Sequence, residues 1–348
     1  MRRALAAAAL AAVAVGMPVA ALAGPRTDAG GVGFRLADER IDESSGLVLS
    51  HRHPHVVWTA NDSGDSARVF AVDTRTGQTV GVHRFGAEVR DVEALAMTPD
   101  GTVLVGDIGD NGASRSSVRV YSFDEPPLGE TSGPSTSWQL TYPDGPHDAE
   151  SLAVDPTTGR VYVVTKAQAG AVYALPEHPS RSGTNRLTKV AAAPGVATDA
   201  VFLADGSALA VRTYLALVLL DAQDFHRVAS APLPMQPQGE TLALAPDGRG
   251  LLAGSEGVHS LVQEVTVPTP SPATPSATTS SSPPPATTSG AHTPTSSVEP
   301  VSQDSPVLQG TGQLVTGVVL ATGLLCLVIW GLGSITKRRH RGDRDSLA

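Results

Sequence analysis

The sequence predicts an all-β fold, a β-propeller of five four-stranded blades, and three observations carry that prediction. Between residues 24 and 267, short β-rich runs alternate with Gly, Asp and Pro punctuation, with almost no apolar spacing of helical period. One unit recurs five times: an apolar strand, a Pro-Asp-Gly-type turn, a second apolar strand, then a polar cluster. The copies start 48, 57, 49 and 41 residues apart, close to the roughly 40–50 residues that a four-stranded blade occupies.

The first copy opens at Ser45-Gly46-Leu47-Val48. The second opens at Glu93-Ala94-Leu95-Ala96 and leads to Pro99-Asp100-Gly101, and the third at Glu150-Ser151-Leu152-Ala153, leading to Asp155 through Gly159. The fourth is Asp199-Ala200-Val201-Phe202 with Ala204-Asp205-Gly206, and the fifth Glu240-Thr241-Leu242-Ala243 with Pro246-Asp247-Gly248. From Glu240 to residue 267 there is room for three strands only. The apolar segment Val32 to Leu36 has no blade of its own and is expected to supply the missing outer strand of the last blade, which removes an exposed sheet edge. A sandwich or an incomplete six-bladed ring are the alternatives.

The flanking segments read as targeting and tethering sequence. Residues 1–23 join Arg2 and Arg3 to an apolar Ala/Leu/Val run and an Ala21-Leu22-Ala23 exit, the pattern of a secretory signal peptide. Residues 268–313 are a Pro/Thr/Ser-rich stalk with too little apolar surface to offset the entropy of ordering. Residues 314–335 carry no charge and number 22, enough at about 1.5 Å per residue to cross a hydrocarbon core of roughly 30 Å as a transmembrane helix. Lys337, Arg338, Arg339 and Arg341 follow, so residues 336–348 are expected to be a basic cytoplasmic tail and the propeller to lie outside the cell, single-pass in the cell membrane. Only three residues are Lys, and the Arg, Ala, Gly and Pro bias points to a GC-rich, actinobacterial genome.

Composition excludes several classes. The single Cys326 falls in the membrane span, so no intramolecular disulfide and no Cys-based zinc or iron–sulfur site can form. The formal charge is −9, and setting aside the basic leader and tail takes it to −14 over the remainder, so no nucleic-acid binding is expected. Gly-x-Ser-x-Gly, P-loop, dinucleotide and HExxH signatures are absent.

In a propeller the first strand of each blade lines the axis, so the residues opening each repeat converge on one channel mouth. Here they are Ser45, Glu93, Glu150, Asp199 and Glu240. Four carboxylates so placed repel one another unless a cation neutralises them, and oxygen-only donors suit Ca²⁺. The alternative is an open, hydrated ring. The second strands return to the same mouth and bring Asn61, Asp62, Asp107, Lys166, Arg212 and Glu256 as ligand-binding candidates. Lys166 and Arg212 with a bound metal would suit an anionic group, or would serve as a structural ion-pair network with Asp62, Asp107 or Glu256. His51, His53 and His55 fall between first and second strands, on the opposite face.

Over about residues 32–267 the chain resembles secreted bacterial propellers of the WD40/YVTN-like and esterase-like phytase group. The resemblance rests on Glu43-Ser44-Ser45-Gly46-Leu47, Asn61-Asp62-Ser63-Gly64-Asp65, Gly106-Asp107-Ile108-Gly109-Asp110-Asn111 and Gln238-Gly239-Glu240. The ring is also similar to that of the calcium-activated nucleotidases, or apyrases, which implies an axial calcium on Ser45, Glu93, Glu150 and Glu240, with Asp199 departing from a Ser. The nucleotide-binding segments of that family are not recognisable here.

Two functions follow as expectations. One is a surface-tethered binding propeller whose calcium site and mouth residues hold an extracellular small molecule or surface polymer. The other is a calcium-dependent hydrolase of phosphoanhydrides, phosphoesters or lactones, with Asp62 or Asp107 activating water and Lys166 and Arg212 stabilising charge.

Overall fold

The computed structural model describes residues 33–269, and within them the punctuated apolar runs form strands. After β1 (Phe34–Arg35), blade 1 consists of β2 (Ser44–Leu49), β3 (Val56–Asn61), β4 (Arg68–Asp73) and β5 (Thr79–Gly86). Blade 2 begins with β6 (Val92–Met97), β7 (Thr102–Asp107) and β8 (Val118–Asp124). The chain then makes an excursion, β9 (Gly129–Pro134), before returning as the fourth strand of blade 2, β10 (Thr136–Thr141).

Blade 3 contains β11 (Ala149–Val154), β12 (Val161–Thr165) and β13 (Ala171–Ala174), passes through β14 (Thr184–Arg186) and ends with β15 (Thr188–Ala192). Blade 4 is β16 (Ala197–Phe202), β17 (Ala208–Thr213), β18 (Ala216–Asp221) and β19 (Arg227–Pro232). Blade 5 has β20 (Thr241–Leu244), β21 (Gly250–Gly254) and β22 (Leu261–Thr266).

The five expected blades are present, each opening at the anticipated repeat, and the ring closes as the sequence suggested. β1 pairs antiparallel with β22, Phe34 opposite Val262 and Arg35 opposite Leu261. Leu36 and Ile41, both fully buried, anchor that closure, and burying each contributes about 1.5–3 kcal/mol. The inner strands β2, β6, β11, β16 and β20 neighbour one another in a closed circle.

The four-strand expectation holds for three blades and fails for two. β9 adds to blade 1 parallel to β5, and β14 adds to blade 2 parallel to β10. Both come from the insertions that lengthen the second and third repeats, and both cover an outer edge that would otherwise present unpaired N–H and C=O groups. Their side chains are largely exposed, so no apolar alternation marks them in the sequence.

The hairpins follow the expected turn chemistry. Gly101, Gly206 and Gly248 each close a turn by donating to the carbonyl three residues back, at Thr98, Leu203 and Ala245, all at 2.9 Å.

The core lies between blades. Trp58 and Val69 of blade 1 pack with Leu95 and Val105 of blade 2, and Leu104 and Val120 of blade 2 with Val163 and Tyr173 of blade 3. Tyr162 and Val172 meet Phe202 and Val211 across blades 3 and 4, and Ala210 and Leu217 meet Leu242 and Leu251 across blades 4 and 5. Ala243 and Leu252 of blade 5 complete the circle against Phe70 and Val82 of blade 1. Each sheet is therefore buried on both faces, which explains strands that read as continuous apolar runs.

The signal peptide, stalk, transmembrane helix and basic tail expected from the sequence lie outside the described residues. Among the described residues no helix is long and apolar enough to cross a membrane.

Candidate metal centre at the channel mouth

Each inner strand begins with an irregularity that decides which side chain faces the axis. In blades 1 to 4 one residue is inserted between consecutive ladder pairs: Gly46, Glu93, Glu150 and Thr198. In blade 5, Thr241 pairs with Gly254 while Glu240 N also donates to the Gly254 carbonyl, at 3.3 Å. A bulge re-aims its extra residue out of the pleat. The equivalent positions are therefore Gly46, Glu93, Glu150, Thr198 and Glu240; Ser45 lies one residue before the bulge and Asp199 one after.

The consequence is a trio of carboxylates. Glu93, Glu150 and Glu240 each offer an oxygen, all within 4.8 Å of one another, and the three residues are 2%, 2% and 4% exposed. Burial and neighbouring carboxylates push the Glu93 carboxyl well above its ordinary range; the same burial does so for Glu150, against the pull of Lys166.

Ser45 Oγ lies 2.9 Å from the Glu93 carbonyl and 3.1 Å from its Oε2, so blade 1 steadies the blade 2 carboxylate. Tyr214 donates its hydroxyl to Glu240 Oε1 at 3.0 Å. Lys166 Nζ stands 2.8 Å from Glu150 Oε1 and 3.6 Å from Glu240 Oε1, over the Tyr214 ring at 5.5 Å. Glu150 Oε2 is buried and accepts no hydrogen bond. Such an orphaned acceptor is costly, and it fits a hard cation: the donors are all oxygen, as Ca²⁺ requires.

Asp199 is fully buried, and both its oxygens are taken up by backbone N–H groups. Its Oδ1 accepts from Ala200 N at 2.8 Å and its Oδ2 from Leu242 N at 2.6 Å, joining blade 4 to blade 5. Arg212 is also wholly buried; it donates to the Thr241 carbonyl at 2.8 Å and to Gln236 Oε1 at 2.5 Å. Burial pushes the Arg212 guanidinium down to about 10, against the attraction of Asp199 and Glu240. Gly239 packs directly against it: a Cβ there would stand 1.8 Å from Arg212 Nη2, so the guanidinium would have to shift.

The remaining candidates divide between rim and scaffold. Asn61 is buried and holds the Arg40 carbonyl at 2.7 Å and Asp65 Oδ2 at 3.1 Å. Asp107 pairs with Arg115 at 2.9 Å and accepts from Asp91 N at 3.0 Å. Asp110 accepts from Ser114 and from Arg115 N, so the Asp-Ile-Gly-Asp-Asn run spends these carboxylates on its own loop. Asp62 stays at the mouth, where it, Asp91 and Glu93 form a second group of oxygens within 4.8 Å. Glu256 accepts from Gln238 at 2.7 Å, and burial beside Glu240 and Asp62 pushes its carboxyl up to about 9. On the loop between β2 and β3, His51 N donates to Glu125 and His53 Nε2 lies 3.1 Å from the Pro126 carbonyl.

Asp91, Asp148 and Tyr214 belong to the mouth without standing out in the sequence. Burial, with Asp62 and Asp148 nearby, raises the Asp91 carboxyl to about 6. A signal for two of them exists: Asp91 and Asp148 each stand two residues before a ring glutamate, at the entry to an inner strand.

Fold and site together define a five-bladed β-propeller with a buried carboxylate trio able to hold a metal ion on its axis. No family model matches the chain, and no curated protein matches it. Among solved structures it is similar to a gluconolactonase from Xanthomonas campestris at 15% identity and a TM-score of 0.41, covering 64% of this chain and 72% of that one. So distant a likeness carries nothing about activity.

Proposed function

We propose that this chain is a surface-tethered propeller that binds calcium at the mouth of its axis and, through that ion, an extracellular anionic ligand. The observation that carries the reading is the convergence of Glu93, Glu150 and Glu240 in a buried site where Glu150 Oε2 has no partner. Calcium is favoured over zinc or copper because the site offers oxygen and neither imidazole nor thiolate. A carboxylate-rich mouth repels anions. Arg212 is committed to Thr241 and Gln236, and Lys166 to Glu150, so an anionic ligand needs the ion as its counter-charge.

A second reading, metal-dependent hydrolysis of phosphoanhydrides, phosphoesters or lactones, draws on the Asp62, Asp91 and Glu93 group beside the trio. There Asp62 would be placed to take a proton from a water held over the site. The test is thermal melting and calorimetry of the purified full-length protein with Ca²⁺ or EDTA, combined with turnover assays on nucleotides, phytate, generic phosphoesters and lactones. A calcium-dependent rise in melting temperature is expected. A melting temperature indifferent to both additions overturns both readings, and turnover lost in Glu150→Gln favours the hydrolase.

A further inference from the structure

We propose that Lys166 is a resident counter-ion that competes with the metal for Glu150 and Glu240 and thereby sets the affinity of the ring. The inference rests on the reading of the trio as a metal site and adds how that site is regulated.

Lys166 is the only Lys or Arg whose charged end is paired with the trio among the described residues. Its ammonium lies 2.8 Å from Glu150 Oε1 and 3.6 Å from Glu240 Oε1, a direct contact with one carboxylate and a close approach to a second. One trio member is thus bonded to an ammonium on one oxygen while its other oxygen has no partner at all. The three donors of one ammonium can reach at most three of the six oxygens of the trio, whereas an ion taking six to eight oxygens can be ligated by all of them.

The charges agree with this. With the ammonium in place, three ionised carboxylates present a divalent ion with a net charge of only −2. Without the ammonium, the same ion faces −3.

Lys166 is also built to leave. It lies just beyond the end of β12, its backbone N bonded to the Asp148 carbonyl at 3.0 Å, and its side chain is 19% exposed. A four-carbon stem anchored at the backbone lets the ammonium swing to the rim while the carboxylates stay on their bulges. The Tyr214 ring supports the inward position, at 5.5 Å from Nζ, and the Tyr214 hydroxyl, which also interacts with Lys166, holds Glu240 Oε1. If Lys166 instead served to position Glu150 for the metal, its removal would weaken binding. The two roles therefore predict opposite signs.

The experiment is calcium calorimetry and thermal melting on the wild type, Lys166→Met and Lys166→Arg. Lys166→Met is expected to bind Ca²⁺ at least ten-fold tighter than the wild type, to melt lower than the wild type in EDTA, and to recover in Ca²⁺. Lys166→Arg keeps the charge and is expected to stay within three-fold of the wild type. Wild-type binding with unchanged or weaker binding in Lys166→Met overturns the competitor role while leaving the metal site intact. Absence of binding in both, with circular dichroism showing both folded, overturns the metal reading and this inference with it. If Lys166→Met does not fold in EDTA, Lys166→Gln replaces it, and equal or weaker affinity there overturns the proposal in the same way.

Discussion

Glu150 and Asp199 open consecutive repeats 49 residues apart, yet one faces the channel axis and the other is locked into the backbone of the next blade. Glu150 is the inserted residue of its bulge; Asp199 comes one residue after the inserted Thr198. A one-residue slip exchanges the two sides of a strand, so a repeat that looks uniform in the sequence yields two kinds of acid.

The difference is measurable. Glu150→Gln removes one ligand charge and is expected to weaken calcium at least ten-fold, about 1.4 kcal/mol. Asp199→Asn weakens two bonds to backbone N–H groups and is expected to cost about 1–3 kcal/mol of stability. It leaves calcium affinity within two-fold. Calorimetry and denaturant melts on both variants separate the effects, and equal losses of affinity would remove the distinction between ring and scaffold.

Calcium binding should release protons. Burial, with repulsion among neighbouring carboxylates, holds Glu93 and Glu150 well above their ordinary range, so the metal-free fold binds more protons than the unfolded chain. Stability of the metal-free protein then falls as pH rises, because its slope follows the difference between protons bound unfolded and folded. Melts in EDTA are expected to shift upward from pH 8 to pH 5, while calcium affinity weakens over the same interval because a ligand must be deprotonated. An EDTA melt that drops on mild acidification would contradict the raised carboxyls.

Gly46 fills the blade 1 bulge for steric reasons. Its φ is +73°, and a Cβ there would approach Leu95 N to 2.5 Å and the Ala94 backbone carbonyl carbon to 2.8 Å. Gly46→Ala therefore combines a left-handed backbone with a clash against the blade 2 backbone and is expected to cost about 2 kcal/mol or more. A variant melting like the wild type would show that the first two blades can separate without loss.

Ring closure is testable at Leu36, which is fully buried beside β1 and packs in the cluster joining blades 5 and 1. Leu36→Ala is expected to cost about 2–5 kcal/mol in urea unfolding. Removal of residues 24–42 should destabilise the protein further, since it also exposes the edge of β22. A truncated chain of unchanged stability would mean that β1 is dispensable.

Repeat spacing, turn residues and an orphan apolar segment were enough, in the sequence, to read five blades, their order and the closure by β1. These depend on local chemistry: a Pro-Asp-Gly turn and an apolar run specify a hairpin wherever it sits. The acidic repeat openings were equally visible, and with them Glu93, Glu150 and Glu240. What the sequence could not contain was the bulge register, because the inserted residue is set by pairing with the returning strand and not by its own identity. Only tertiary packing turned Asp199 toward Leu242, sealed Arg212 against Gly239 and Gln236, and brought Lys166 onto Glu150. The same holds for β9 and β14, whose exposed side chains carry no periodic signal and whose place is decided by the open sheet edges they cover. Repeating chemistry determined where acids approach the axis; the register of each strand against its neighbour decided which of them meet there.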